Sequence, residues 1–146
     1  DSINYALSCD DGLNIKNYER ADIILTGVSR SGKTPTCLFL ALQYGIFAAN
    51  YPLIEEDLKT IKLPTILQKN KNKLFGLSIN PVRLQNIRDE RRSNSGYASI
   101  DQCRKEVKLA EDMFVQNQVP FLDTSHTSIE EIAGRILNKS AIKRRY

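Results

Sequence analysis

The segment Gly27-Val28-Ser29-Arg30-Ser31-Gly32-Lys33-Thr34 constrains this chain more than any other. It fits G-x-x-x-x-G-K-[ST] at every defined position, a pattern that needs a strand to deliver it and a helix to receive it. Both are legible. Asp22-Ile23-Ile24-Leu25-Thr26 is short, apolar and β-branched, which predicts a buried parallel strand. Residues 33–44 read as a helix with Cys37, Leu38, Ala41 and Leu42 facing inward. The glycines let the backbone curl so that several N–H groups point into one anion-sized hollow. The helix start behind them adds about half a positive charge. In such a loop Lys33 bridges the outer phosphates of a nucleotide, and the Thr34 hydroxyl is the expected ligand for Mg²⁺.

Two residues give this loop its own character. Pro35 follows the threonine and has no N–H, so one donor is missing from the cradle and the phosphates are expected to sit differently from those of ordinary nucleoside-triphosphatases. Arg30 reads either as a group that stabilises charge on a transferring phosphoryl, which makes it catalytic beside Lys33, or as an exposed solubilising side chain.

The rest of the chain alternates strands with helices. Residues 1–20 read as a connecting segment, loosely helical at Ile3, Tyr5, Ala6 and Leu7, with a turn at Asp10-Asp11-Gly12. Phe47–Asn50 is a second strand closed by a turn around Pro52, and residues 55–72 read as one helical turn and a loop. Leu74–Ile79 is the third strand, after which Asn80 caps a helix and Pro81 takes its first position. Ser99 and Gln102 form a capping box for a long helix with Ile100, Cys103, Val107, Ala110 and Phe114 on one face. Val119–Leu122 is a fourth strand whose proline marks a strand start or sheet edge. Thr127 with Glu130, or Ser128 with Glu131, boxes a last helix with the face Ile129, Ile132, Ala133, Ile136 and Leu137, and Lys143-Arg144-Arg145-Tyr146 is a solvated tail. The predicted fold is α/β: a parallel sheet flanked by helices, of the P-loop nucleotide-binding type, over residues 21–146. The first strand-to-helix turn of such a sheet is where ligands bind.

Composition excludes several classes. No run of about 18 apolar residues marks a membrane span, and no basic start with an apolar run marks a secretory signal. Three widely spaced cysteines argue against a disulfide framework and for a reducing compartment, hence the cytoplasm. Cys37 and Cys103 read as packing residues, and His126, the single histidine, has no thiol near it to build a metal site. A net charge of +4 suits phosphorylated ligands and ordinary solubility equally, and no basic run interleaved with aromatics points to nucleic acid.

Secondary sites stay open at this level. Arg88, Arg91 and Arg92 cluster about one turn apart beside Leu84 and Ile87, either as a phosphate grip or as an ion-paired face with Asp89 and Glu90. Asp123 follows the fourth strand, where a Mg²⁺-organising aspartate can stand. Asp10 or Asp11 offers a general base, against a simple turn role.

Gly27 to Thr36 (GVSRSGKTPT), Ala48 to Leu53, Phe75 to Arg92, Tyr97 to Cys103 and Ser128 to Ala133 resemble the phosphoenolpyruvate synthase regulatory protein family, as does the opening Tyr5-Ala6-Leu7 with Asp10-Asp11-Gly12. The likeness covers nearly the whole chain; Cys9 departs from it, standing where a histidine is common, and Ser125-His126 lies in a variable stretch. The resemblance implies a bifunctional enzyme. It phosphorylates a target threonine of the dikinase with ADP as donor, inactivating it, and removes that phosphate with inorganic phosphate, releasing pyrophosphate. It places the nucleotide site at Gly27 through Thr34. The SRSGKT form resembles the branch acting on phosphoenolpyruvate synthase (pyruvate, water dikinase); the branch acting on pyruvate, phosphate dikinase more often has Ser-Lys-Thr there. Members are about twice this length, so the chain, which opens at Asp1, is expected to be a C-terminal half lacking an N-terminal domain, with a homodimer left open. Without the resemblance a small-molecule kinase competes, but residues 55–72 hold lysines and no arginine, a poor lid. A nucleotide sensor that transfers nothing is the third reading.

Overall fold

A computed structural model describes residues 1–10, 15–91 and 96–139. Its centre is β1 (Ile23–Val28), whose six residues are all buried. It pairs in parallel with β2 (Ala48–Leu53), from Ile23 against Ala48 to Val28 against Leu53. On its other side it pairs in parallel with β3 (Leu74–Ser78), which in turn pairs with the short β4 (Phe121–Asp123). The order is β2-β1-β3-β4.

Helices cover both faces, because alternate strand residues point to opposite sides. Ile23 and Leu25, with Phe75 and Leu77 of β3, pack against Cys37 and Leu40 of α2 (Lys33–Tyr44) and Ile132, Ala133 and Ile136 of α7 (Ile129–Lys139). Ile24 and Val28 meet Leu84 of α5 (Pro81–Arg91) and Cys103, Val107 and Phe114 of α6 (Ile100–Gln116). α1 (Ser2–Ser8) buries Tyr5 and Ala6, and a 3-10 turn, Ile15–Arg20, buries Tyr18.

Several boundaries differ from expectation. β1 runs two residues further, so Gly27 and Val28 of the loop are still strand. β2 continues straight through Pro52, where a turn was expected. It lies at one end of the strand order, where a missing N–H interrupts no ladder. Pro120 immediately precedes β4 at the other end, as a strand-start proline should. Residues 55–72 hold two short helices, α3 (Glu55–Leu58) and α4 (Thr65–Lys69), tied down by buried Leu58, Leu63 and Leu67. On α2 the inward side is Cys37, Leu40 and Ala41; Leu38 is half-buried and Leu42 is 57% exposed, so the true face lies about a quarter of a turn from the predicted one. The turn residues Asp11 and Gly12 and the tail Lys143–Tyr146 lie outside the described residues.

The chain leaves β1 for β2 on one side and then crosses to β3 on the other. That reversal opens a crevice at the carboxyl ends of β1 and β3, where the loop sits.

Candidate functional site

The loop closes on one carbonyl. Val28 O accepts the Ser31 amide at 3.3 Å, the Ser31 hydroxyl at 2.8 Å and Lys33 Nζ at 2.7 Å. Ser31 and Lys33 are buried, so the lysine ammonium is held under the loop, not left waving in solvent. Arg30 turns the chain with φ at 71° and is exposed; Gly32 follows with φ at 99° and caps α2. Gly32, Lys33 and Thr34 then bring their amides to the N-terminal end of the helix, the end that carries its partial positive charge. The helix ladder begins with Thr36 N–H donating to Gly32 O. Pro35 sits inside that first turn, where it costs the helix nothing and removes one amide from the cradle.

Two of the clefts that border the loop adjoin each other at Arg30. The larger, about 540 Å³, is lined by Ser29, Lys33, Thr34, Ile54 and Arg91 among others. The smaller, about 270 Å³, is lined by Ser31, Thr36, Arg83, Thr124 and Thr127 among others. Arg30, Gly32, Pro35 and Ile87 border both. An arginine standing between two adjoining hollows can reach charge in either.

The arginine trio separates. Arg88 is fully buried and belongs to neither reading made for it, phosphate grip or solvated ion-paired face. Its Nε and Nη2 donate to Ser29 O at 3.4 and 3.1 Å, and Nη1 donates to Tyr97 O at 3.0 Å. Glu106 accepts the remaining hydrogens at 2.9 and 3.2 Å. The guanidinium also stacks 4.2 Å from the centre of the Tyr97 ring. Burial works against its charge, but the hydrogen bond and negative charge of Glu106 more than offset this and raise its pKa. With every N–H committed, Arg88 is the brace beneath the loop. Arg91 is exposed and lines the larger cleft; Arg92 lies outside the described residues.

The loop has partners that the motif does not announce. Ser29 Oγ lies 2.7 Å from the Tyr97 hydroxyl, so this ring touches both the loop and its brace. The one signal for Glu106 is a carboxylate next to Val107 on the inner face of an amphipathic helix, a place charged residues rarely occupy unpaired. The Thr34 hydroxyl donates to Asp10 Oδ1 at 2.6 Å, and Asn50 Nδ2 donates to the same oxygen at 2.6 Å. Asp123, by contrast, is exposed, and its Oδ1 accepts the Ser125 amide at 2.7 Å, capping the turn into α7. It stands two strands from β1.

Cys37 and Cys103 are buried packing thiols. Burial pushes both pKa values up, so neither is a ready nucleophile. Among the described residues no helix is long and apolar enough to cross a membrane.

A sequence model of the kinase/pyrophosphorylase family matches residues 1–137. The chain belongs to the kinase/pyrophosphorylase family. Curated relatives carry the name phosphoenolpyruvate synthase regulatory protein: the one from Pseudoalteromonas translucida is 59% identical over 99% of this chain and 54% of its own length. The one from Laribacter hongkongensis is 56% identical over all of this chain and 53% of its own. The chain thus spans about half the length of the curated relatives it matches. The family match takes in α1, the loop with its Arg88 brace, and most of α7.

Proposed function

We propose that this chain is the nucleotide-binding and phosphoryl-transfer part of an enzyme that regulates phosphoenolpyruvate synthase (pyruvate, water dikinase). ADP is the donor in one direction and inorganic phosphate the acceptor in the other. The observation that carries this reading is the loop itself: the amides of Gly32, Lys33 and Thr34 gathered at a helix start, with the Lys33 ammonium folded beneath them. That arrangement suits a diphosphate, whose charge the amides and lysine share.

The site residues we assign are Gly27, Val28, Ser29, Arg30, Ser31, Gly32, Lys33 and Thr34 around the nucleotide, with Thr34 also facing Mg²⁺. ADP holds two phosphoryl groups, so transfer of the outer one to a threonine oxygen leaves AMP, and the hydroxyl proton must depart. In reverse, phosphate attacks the phosphothreonine phosphorus, pyrophosphate leaves, and the threonine oxygen regains a proton. Each direction needs a seat for a phosphate and a neighbouring seat for the partner oxygen. The two clefts joined at Arg30 offer such a pair, and Arg30 and Lys33 would stabilise the charge that builds between them. Cytoplasmic placement and a dikinase partner are part of the same proposal, as is the reading of residues 1–20 as a segment connecting the nucleotide-binding domain, residues 21–146, to an N-terminal domain.

ADP labelled in its β-phosphate, offered with purified dikinase and separately with small alcohols, tests it. Label on a dikinase threonine, lost in Lys33→Ala by at least about a hundredfold, is the expected result. Label only on a small alcohol identifies a metabolite kinase instead, and ADP bound without transfer to either identifies a sensor.

A further inference from the structure

We infer that Asp10 is the carboxylate that completes a divalent-cation site with Thr34, although it precedes β1 and belongs to no strand of the sheet. The inference rests on the nucleotide reading of the loop and adds a ligand to it. A loop of this kind ordinarily draws on an aspartate from a neighbouring strand to organise the ion near its threonine. Here β3, the strand beside β1, ends at Ser78 and is followed by Ile79 and Asn80, neither of them acidic. Asp123 spends its carboxylate on the turn into α7. Among the described residues Asp10 is the carboxylate that meets the loop's hydroxyl.

The contact fits a cation. Thr34 Oγ1 and Asp10 Oδ1 are 2.6 Å apart. Adjacent oxygens on an octahedral Mg²⁺ with bonds of about 2.1 Å stand about 3 Å apart. An ion can therefore replace the shared proton with a shift of a few tenths of an ångström. Asp10 is also held in place. Asn50, fully buried in β2, donates its side-chain amide to the same carboxylate oxygen, and its backbone N–H donates to Cys9 O at 3.4 Å. Both bonds to the carboxylate fall on Oδ1, so Oδ2 has no partner among the described residues. Mg²⁺ needs no cage of acids: it takes one or two carboxylates, with substrate phosphates and water filling the rest. Among the described residues no cluster of three or more acidic, histidine or cysteine side chains offers an alternative.

The test reads binding, not turnover. ADP affinity is measured by calorimetry in Mg²⁺ and in EDTA, and Mn²⁺ binding to the ADP-loaded protein by its paramagnetic resonance signal. In the unmodified protein Mg²⁺ should tighten ADP by about tenfold or more. Asp10→Asn keeps a carbonyl for Thr34 and Asn50 to donate to, so the fold should persist, which the melting temperature checks. In that variant the affinity in EDTA should stay within about twofold, while the Mg²⁺ gain and the bound Mn²⁺ signal disappear. Asp10→Glu should recover part of the gain. An Asp10→Asn protein that still gains fully from Mg²⁺ overturns the proposal. An unmodified protein that binds no ADP in either buffer overturns the nucleotide reading first, and the cation site with it.

Discussion

Gly27 and Gly32 frame the loop for different reasons. A β-carbon on Gly27 would lie 2.4 Å from the backbone oxygen of Leu77, because β1 and β3 approach closely there. Gly27→Ala must therefore push these paired strands apart, and urea unfolding should show a loss of at least about 2 kcal/mol. A β-carbon on Gly32 meets nothing within 4 Å, and only its φ of 99° objects. Gly32→Ala should cost about 1 kcal/mol, half the first value or less. The motif named both glycines without distinguishing them, since spacing records that a side chain is missing and not what fills its place. Arg88 was less legible still. Its periodicity set it beside Leu84 and Ile87, but which carbonyls it would meet depends on Ser29 and Tyr97, 59 and 9 residues away. Arg88→Met leaves Glu106 without its cation, holding only the Gln102 amide, and the Ser29 carbonyl without its Arg88 donors. The expected loss is about 3–5 kcal/mol, together with weaker ADP binding because the loop loses its support. If that variant unfolds at unchanged urea concentration, Arg88 is no brace.

Local chemistry marked the elements well where one residue sets a boundary. Asn80 caps α5 through the amides of Val82 and Arg83, and Ser99 caps α6 through Gln102, as their positions announced. At α7 the two candidate caps resolve in favour of Ser128, which accepts from Glu131. The segment between β2 and β3 was opaque for the opposite reason. Leu58, Leu63 and Leu67 are too sparse among polar neighbours to set a period, and only the core they enter orders them. Pro35 is the element-level feature with a functional consequence. Its ring replaces the one first-turn amide of α2 that the cradle lacks. Pro35→Ala supplies that N–H without disturbing the turn. If phosphate reaches this end of the helix, an added hydrogen bond to a charged oxygen should tighten phosphate or ADP by about tenfold. Unchanged affinity in titration calorimetry would mean that the phosphates stop short of it, the altered placement proposed for this loop.

At the scale of the molecule the sheet joins two cores that hold buried thiols, among them Cys37 on the α2 and α7 side and Cys103 on the α5 and α6 side. The sequence pattern showed both as apolar-face residues but not that they lie on opposite faces, since that depends on which side each crossover helix takes. Burial raises the pKa of both thiols, and the charge of Asp10 adds to the effect at Cys37. A raised folded value means that stability is fully present below the unfolded pKa. It declines once the pH passes about 8.5, where the unfolded chain gives up protons that the folded chain keeps. Thermal unfolding from pH 7 to 10 should therefore show a falling midpoint. The thiols also report whether the two faces open together. If the sheet makes them one cooperative unit, a thiol reagent at pH 8 should reach Cys37 and Cys103 at one common slow rate. ADP at a hundred times its dissociation constant binds only the folded loop and should stabilise it by about 2.7 kcal/mol, slowing both labelling rates about a hundredfold. Cys103 slowed by ADP while Cys37 is not would mean that the α2 face opens with the nucleotide still bound. A loop whose cradle is the first turn of α2 cannot allow that.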